Sequence, residues 1–179
     1  VTDTQRLETA RLVLEPFTAE AIDALLGGDE ALLRGLTGYT FPRPVRPPPL
    51  MADVLPMVRD RLRAEPETLG WWTWLAADRA TRQVTGALGF GGPPDPDGVV
   101  MIGYATYPGA DHRGYATEAT EALVTWALEQ AGVERVCASI PPDNIPARRV
   151  AEKVGMRVAG TVWEEDIDDV LLYERRRDQ

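Results

Sequence analysis

Among 179 residues there is one cysteine and one histidine. The lone cysteine, Cys137, excludes an intrachain disulfide framework and a cysteine-rich zinc site. Its place in the apolar run 135–139 reads as a core thiol rather than a nucleophile. Basic residues are outnumbered, 19 Lys and Arg against 28 Asp and Glu, and the net charge of -9 argues against general binding to nucleic-acid backbones. No apolar run reaches membrane length, and residues 1–12 lack the apolar centre of a secretion signal. The expectation is a soluble cytoplasmic protein without direct nucleic-acid or membrane binding. With 44% hydrophobic and 26% charged residues the chain reads as globular, and its length suits one domain over 1–179.

The chain is organised around residues 98–131. An apolar strand from Val99 to Tyr107 meets a break at Pro108 and Gly109, then a polar loop, 111–117, then a long helical pattern from Tyr115 to Gln130. Gly114 can adopt backbone angles closed to other residues and lets a ligand approach the chain closely. The amides around it precede a helix start whose first N–H groups lack internal partners and carry the positive end of the dipole. Strand, glycine-bearing loop and helix start together form an anion seat, so a phosphate-bearing ligand is expected. Neither a G-x-x-x-x-G-K-[ST] loop nor a G-x-G-x-x-G fingerprint is present.

Before this stretch, residues 10–16 read as a strand ended by Pro16, and Thr18 opens a short helix that Gly27 and Gly28 stop. A second helix covers 29–35. Five prolines in 38–50 exclude ordinary helix or central strand; the loop is expected to wall a cleft, with Tyr39, Phe41, Arg43 and Arg46 giving aromatic and basic surface. A proline-motif ligand for another protein is the competing reading. A helix follows over 52–64 with Val54, Met57, Val58 and Leu62 on one side. Residues 71–77 and 83–90 form a predicted antiparallel hairpin on which Trp72 and Trp74 share a face and Trp71 takes the other. In the long helix, Ala119, Leu123, Trp126 or Ala127 and Gln130 lie near one stripe, with Glu118, Glu121 and Glu129 toward solvent or a flank. Strand 133–139 after that helix implies parallel pairing with the central strand. Two apolar strands, 158–163 and 169–174, close the chain.

Certain segments carry a family likeness: Arg113-Gly-Tyr-Ala-Thr-Glu-Ala119 after Ile102-Gly-Tyr104, Glu8-Thr-Ala-Arg-Leu12, and Asn144, Ala147, Lys153 and Gly155 with Met156 where phenylalanine is usual. The chain resembles the GNAT acetyltransferase superfamily, and within it the RimJ/RimL-like branch that acetylates N-terminal amines of ribosomal proteins. The resemblance implies a single α/β domain: a mixed, mostly antiparallel central sheet flanked by helices, with splayed central parallel strands. It implies acetyl-CoA as cofactor, with CoA as product. The cofactor-binding positions it implies are Ala105 and Thr106, together with the backbone of Tyr104, for the pantetheine arm; Asp111, His112, Arg113, Gly114, Tyr115, Ala116 and Thr117 for the pyrophosphate; and Asn144 and Arg149. No metal is needed.

Besides Met156, the chain departs from the family pattern at four positions. Asp111 stands where Gln or Arg is usual, and His112 replaces a frequent glycine. Ala151 occupies the position of a frequent tyrosine acid, and Met101 that of a glutamate just before Ile-Gly-Tyr. Tyr104 and Glu165 are the remaining catalytic candidates. The expected reaction is direct attack of a primary amine on the thioester, the amine being a protein or peptide N-terminus. A small-molecule amine and a non-catalytic acyl-CoA sensor are the alternatives, and a homodimer is compatible with either.

Overall fold

The computed structural model describes residues 5–164 and 167–178. Eight strands form a sheet in the order β1-β2-β3-β4-β5-β6-β8-β7, where β1 is Leu7–Glu8, β2 Leu12–Pro16, β3 Thr73–Asp78, β4 Val84–Phe90, β5 Val99–Thr106, β6 Arg135–Ile140, β7 Arg157–Glu164 and β8 Ile167–Arg176. All neighbouring strands are antiparallel except β5 and β6. That exception follows from the connection. Helix α4, Tyr115–Glu129, carries the chain across the sheet between them, which only a parallel pair requires. The mixed, mostly antiparallel α/β architecture is the one expected.

Alternation along β2 and β3 sorts side chains into two cores. Leu12, Leu14, Trp74 and Ala76 pack with Leu123, Trp126 and Ala127 of α4. Val13, Leu75 and Ala77 face α1, Ala19–Leu26, and α3, Leu55–Ala64, through Ile22, Leu25, Leu55, Val58 and Leu62. Helix α2, Glu30–Thr37, lies beside α1, and α5, Ile145–Lys153, contacts α4. Thr18 caps α1 and Asp29 caps α2 through their side-chain oxygens, each satisfying an amide that the helix leaves open.

Three expectations are corrected. Trp72 and Trp74 do not share a face: Trp74 joins the α4 core with Trp71, and Trp72 the α1 core. Residues Pro66–Trp71 form a 3-10 helix and Trp72 closes it, so strand alternation begins only at Thr73. Helix α3 begins at Leu55 and buries Leu55, Val58 and Leu62, while Val54 and Met57 point outward. In the proline-rich loop, Tyr39 and Phe41 turn into the α1 core instead of forming surface. Tyr39 donates to Glu15 at 2.8 Å, and Tyr107 from the end of β5 holds the Arg46 carbonyl at 2.8 Å. The loop is thus fastened to the sheet, and its exposed basic group Arg43 pairs with Glu30.

Candidate active site

The pairing of β5 with β6 ends early. It runs through Val99↔Arg135, Val100↔Val136 and Met101↔Cys137, whereas β5 stays paired with β4 as far as Thr106 and β6 with β8 as far as Ile140. Past Met101 the two parallel strands part. The backbone of β5 from Ile102 to Thr106 therefore has no ladder partner on its β6 side, and an unpaired strand edge offers donors and acceptors to an extended ligand.

Above the gap, three residues in positive-φ conformations shape the loop: Gly109 at 88°, His112 at 57° and Gly114 at 78°. The usual glycine at position 112 has a physical reason, since the turn needs the left-handed region; histidine tolerates it better than most side chains. Asp111 turns back, its Oδ1 accepting the Gly109 N–H at 2.9 Å, so its carboxylate closes the Pro108–Gly109 turn rather than capping α4. Gly114 stands at the α4 N-cap and no side chain caps the helix there. The first-turn amides of α4 thus remain as anion donors.

Loop, strand and α5 enclose a groove of about 480 Å³. Tyr104, Thr106, Asp111, His112 and Gly114 line it, as do Tyr115, Ala116, Thr117, Asn144 and Arg149. Two expected residues stand apart. Ala105 borders a small adjoining cavity that shares Tyr104, Thr106, Tyr115 and Ala116 with the groove, and Arg113 meets Arg11 through its carbonyl. The groove also takes Pro146, Ala147, Val150 and Lys153 from α5, which the sequence reading did not assign. Their signal was present: Pro146, Arg149, Val150 and Lys153 follow the i, i+3, i+4, i+7 spacing of one helix stripe, and Ala147 borders it. Arg149 and Lys153, the chain's one lysine, give that wall its positive charge.

Asn144 is the N-cap of α5, its Oδ1 accepting the Ala147 N–H at 3.2 Å. This leaves the side-chain NH₂ as its remaining donor. Asn144→Ala is expected to cost about 0.5–2 kcal/mol of stability through the cap. Asn144→Asp keeps the cap but replaces the amide donor with a carboxylate, so a loss of cofactor affinity with an unchanged melting temperature shows that this side chain faces the cofactor. Calorimetry with CoA on both variants reads the difference.

At the inner end of the gap, the Tyr104 hydroxyl donates to the Ala147 carbonyl at 2.7 Å. Burial, with a smaller contribution from the nearby Tyr173, pushes its phenol well above the ordinary tyrosine range. The buried side chain of Ala151 supplies no acid. Met101, Cys137 and Glu174 form one row across β5, β6 and β8. Burial pushes the Cys137 thiol up as well, which makes it a poor nucleophile. The Glu174 carboxylate is held by Arg176 at 2.8 Å with Arg135 at 3.6 Å. Glu165 lies outside the described residues. Among the described residues no cluster of His, Cys, Asp or Glu is arranged to hold a metal, and no helix is long and apolar enough to cross a membrane.

A mixed sheet whose one parallel pair opens beside an uncapped, glycine-started helix is the frame of an acyltransferase that takes its acyl group from a CoA thioester. The chain belongs to the GNAT acetyltransferase family, whose acetyltransferase (GNAT) domain matches residues 11–157. It is 31% identical over 149 residues to the uncharacterized N-acetyltransferase YjdG of Bacillus subtilis, covering 83% of this chain and 88% of that one. Among solved structures, the ribosomal-protein-S5-alanine acetyltransferase from Vibrio fischeri superposes with a TM-score of 0.68 at 14% identity, covering 98% of each chain. Mycobacterium smegmatis RimJ in complex with CoA-disulfide superposes with a TM-score of 0.63 at 21% identity, covering 93% of this chain and 82% of that chain. The protein is an acetyl-CoA-dependent acetyltransferase.

Proposed function

We propose that this acetyltransferase is RimJ/RimL-like and acts on a peptide or protein N-terminal α-amine, with residues 1–179 working as one domain. The observation that carries the acceptor reading is Met101. It ends the parallel pair where the strands part, and the nearest carboxylate on its cross-sheet row, Glu174, is engaged by Arg135 and Arg176. With that carboxylate engaged and no other among the described residues on the row, the enzyme suits an amine that is already largely deprotonated near neutral pH. The overall likeness to ribosomal-protein acetyltransferases supports the same reading at the level of fold.

In this reading the amides of 112–117 hold the pyrophosphate, with Arg149 and Lys153 balancing its charge. The unpaired β5 edge from Tyr104 to Thr106 and the Asn144 amide hold the pantetheine arm. Bound acetyl-CoA supplies a thioester whose thiolate, with a pKa near the cysteine value of about 8.5, leaves without a strong acid. The Tyr104 phenol stays protonated at working pH and can donate a hydrogen bond to the sulfur by releasing Ala147. Glu165 is the candidate to attract the acceptor's ammonium group.

Two measurements test this. Titration calorimetry should show CoA binding about 100-fold more tightly than dephosphorylated pantetheine, since charge-assisted hydrogen bonds at the helix start are lost with the phosphates. Equal affinities would remove the pyrophosphate seat from 111–117. Thiol release with a panel of peptides and small amines then identifies the acceptor class; transfer to small amines alone would overturn the peptide assignment.

A further inference from the structure

The phosphate-seat loop is braced from a distant strand. Arg11 precedes β2, about a hundred residues from the loop in sequence, yet its guanidinium lies against it. Its Nε meets Glu118 Oε2 at 2.7 Å, in the first turn of α4, and one terminal nitrogen donates to the Arg113 carbonyl at 2.9 Å. Its guanidinium carbon stands 4.7 Å from the centre of the Tyr115 ring. The other terminal nitrogen lies 3.3 Å from where a Cβ on Gly114 would sit.

The partners are themselves fixed. Glu118 Oε1 accepts the Thr9 hydroxyl at 2.6 Å and the Arg11 amide at 2.8 Å. The Tyr115 hydroxyl donates to Asp78 Oδ2 at 2.9 Å, and Asp78 Oδ1 is held by the amides of Ala80 and Thr81. The loop is thereby clamped between the entry to β2 and the β3–β4 turn by a residue that does not itself line the groove.

We infer that Arg11 is a positioning residue for the cofactor: it holds the Arg113 carbonyl and the first turn of α4 so that the amides after Gly114 converge on the pyrophosphate. This rests on the cofactor seat proposed above. The planar fork matters, because one guanidinium reaches the carboxylate and the carbonyl together, as an ammonium cannot. A half-exposed ion pair contributes little to global stability, so the contribution expected here is to the local geometry of the loop.

Arg11→Ala should raise KM for acetyl-CoA about tenfold while kcat and KM for the amine stay within about twofold, the pattern of a lost binding geometry. Arg11→Lys should fall between the two. Hydrogen exchange on ligand-free protein should show faster exchange at amides 113–118 in Arg11→Ala, a readout that needs neither cofactor nor turnover. Unchanged exchange there, or unchanged KM for acetyl-CoA in an enzyme that does prefer CoA over pantetheine, would overturn the role of Arg11 alone. A parallel fall in kcat, both KM values and melting temperature would also overturn it, by showing a general structural part. If wild type binds CoA and pantetheine equally, the cofactor seat itself fails, and the two failures are told apart by that first titration.

Discussion

Gly114→Val is expected to abolish useful CoA binding while leaving the protein folded. At φ 78° the position lies in the left-handed region, where a β-branched residue is an outlier costing about 1–2 kcal/mol. A Cβ there also comes within 3.3 Å of the Arg11 guanidinium, so the side chain can relax only by moving the loop or its brace. Either movement turns the first amides of α4 away from the anion, each charge-assisted hydrogen bond being worth about 1.5–3 kcal/mol. Together these predict a loss of about 100-fold or more in CoA affinity. Gly132→Val is the control: its φ of 83° carries the same backbone penalty, nothing lies within 4 Å, and it sits beyond the other end of α4. Calorimetry and thermal melts on both separate the seat from simple strain. Equal CoA affinity in the two variants would mean that Gly114 only turns the chain.

Most of the frame was legible because it rests on local rules. Proline and glycine marked where β2, α1 and β5 end, Thr18 announced a helix start, and a crossover helix fixed the one parallel pair. The strand, glycine-bearing loop and helix order around Gly114 was legible for the same reason. What escaped depends on partners far apart in the chain. Nothing within Trp71-Trp-Thr-Trp74 says that a 3-10 helix takes Trp71 and leaves Trp72 outside the strand, so alternation does not reach Trp72. Tyr39 and Phe41 look like cleft surface until Glu15 and the α1 core are seen to receive them. Asp111 departs from the usual Gln or Arg, and only its bond to the Gly109 amide shows how the carboxylate is occupied. Arg11 stood inside a recognised segment without a reason, because its partners Glu118 and Arg113 lie across the sheet.

The acceptor prediction follows from which groups can titrate near the gap. Tyr104 is held protonated by burial and Cys137 is pushed the same way, so neither serves as a base at neutral pH. His112 is exposed on the loop at the phosphate end of the groove, away from Met101. Among the described residues none of these three is placed to take a proton beside Met101, so in the proposed reading the attacking amine arrives neutral largely by its own basicity. An N-terminal α-amine, with a reference pKa of about 7.7–8.0, gives up roughly 1.4 kcal/mol at pH 7, and a lysine at about 10.4 roughly 4.6 kcal/mol. The difference of about 3 kcal/mol predicts that a peptide with a free α-amine outpaces one with a blocked terminus and a single lysine by roughly 200- to 500-fold at pH 7. The sign of the pH dependence is set as well. Since the reactive form is the deprotonated amine, kcat/KM rises with pH and levels near the amine's own pKa, about 8 for an α-amine, whereas a lysine substrate is still climbing at pH 10. Thiol release from pH 6 to 10, with product masses locating the acetyl group, reads both effects, and self-acetylation of an ε-amine is confined to one peptide because Lys153 is the chain's one lysine. Acetylation restricted to lysine, or a plateau below pH 7 for the α-amine peptide, would show that a base operates at this gap and would overturn the reading built on Met101.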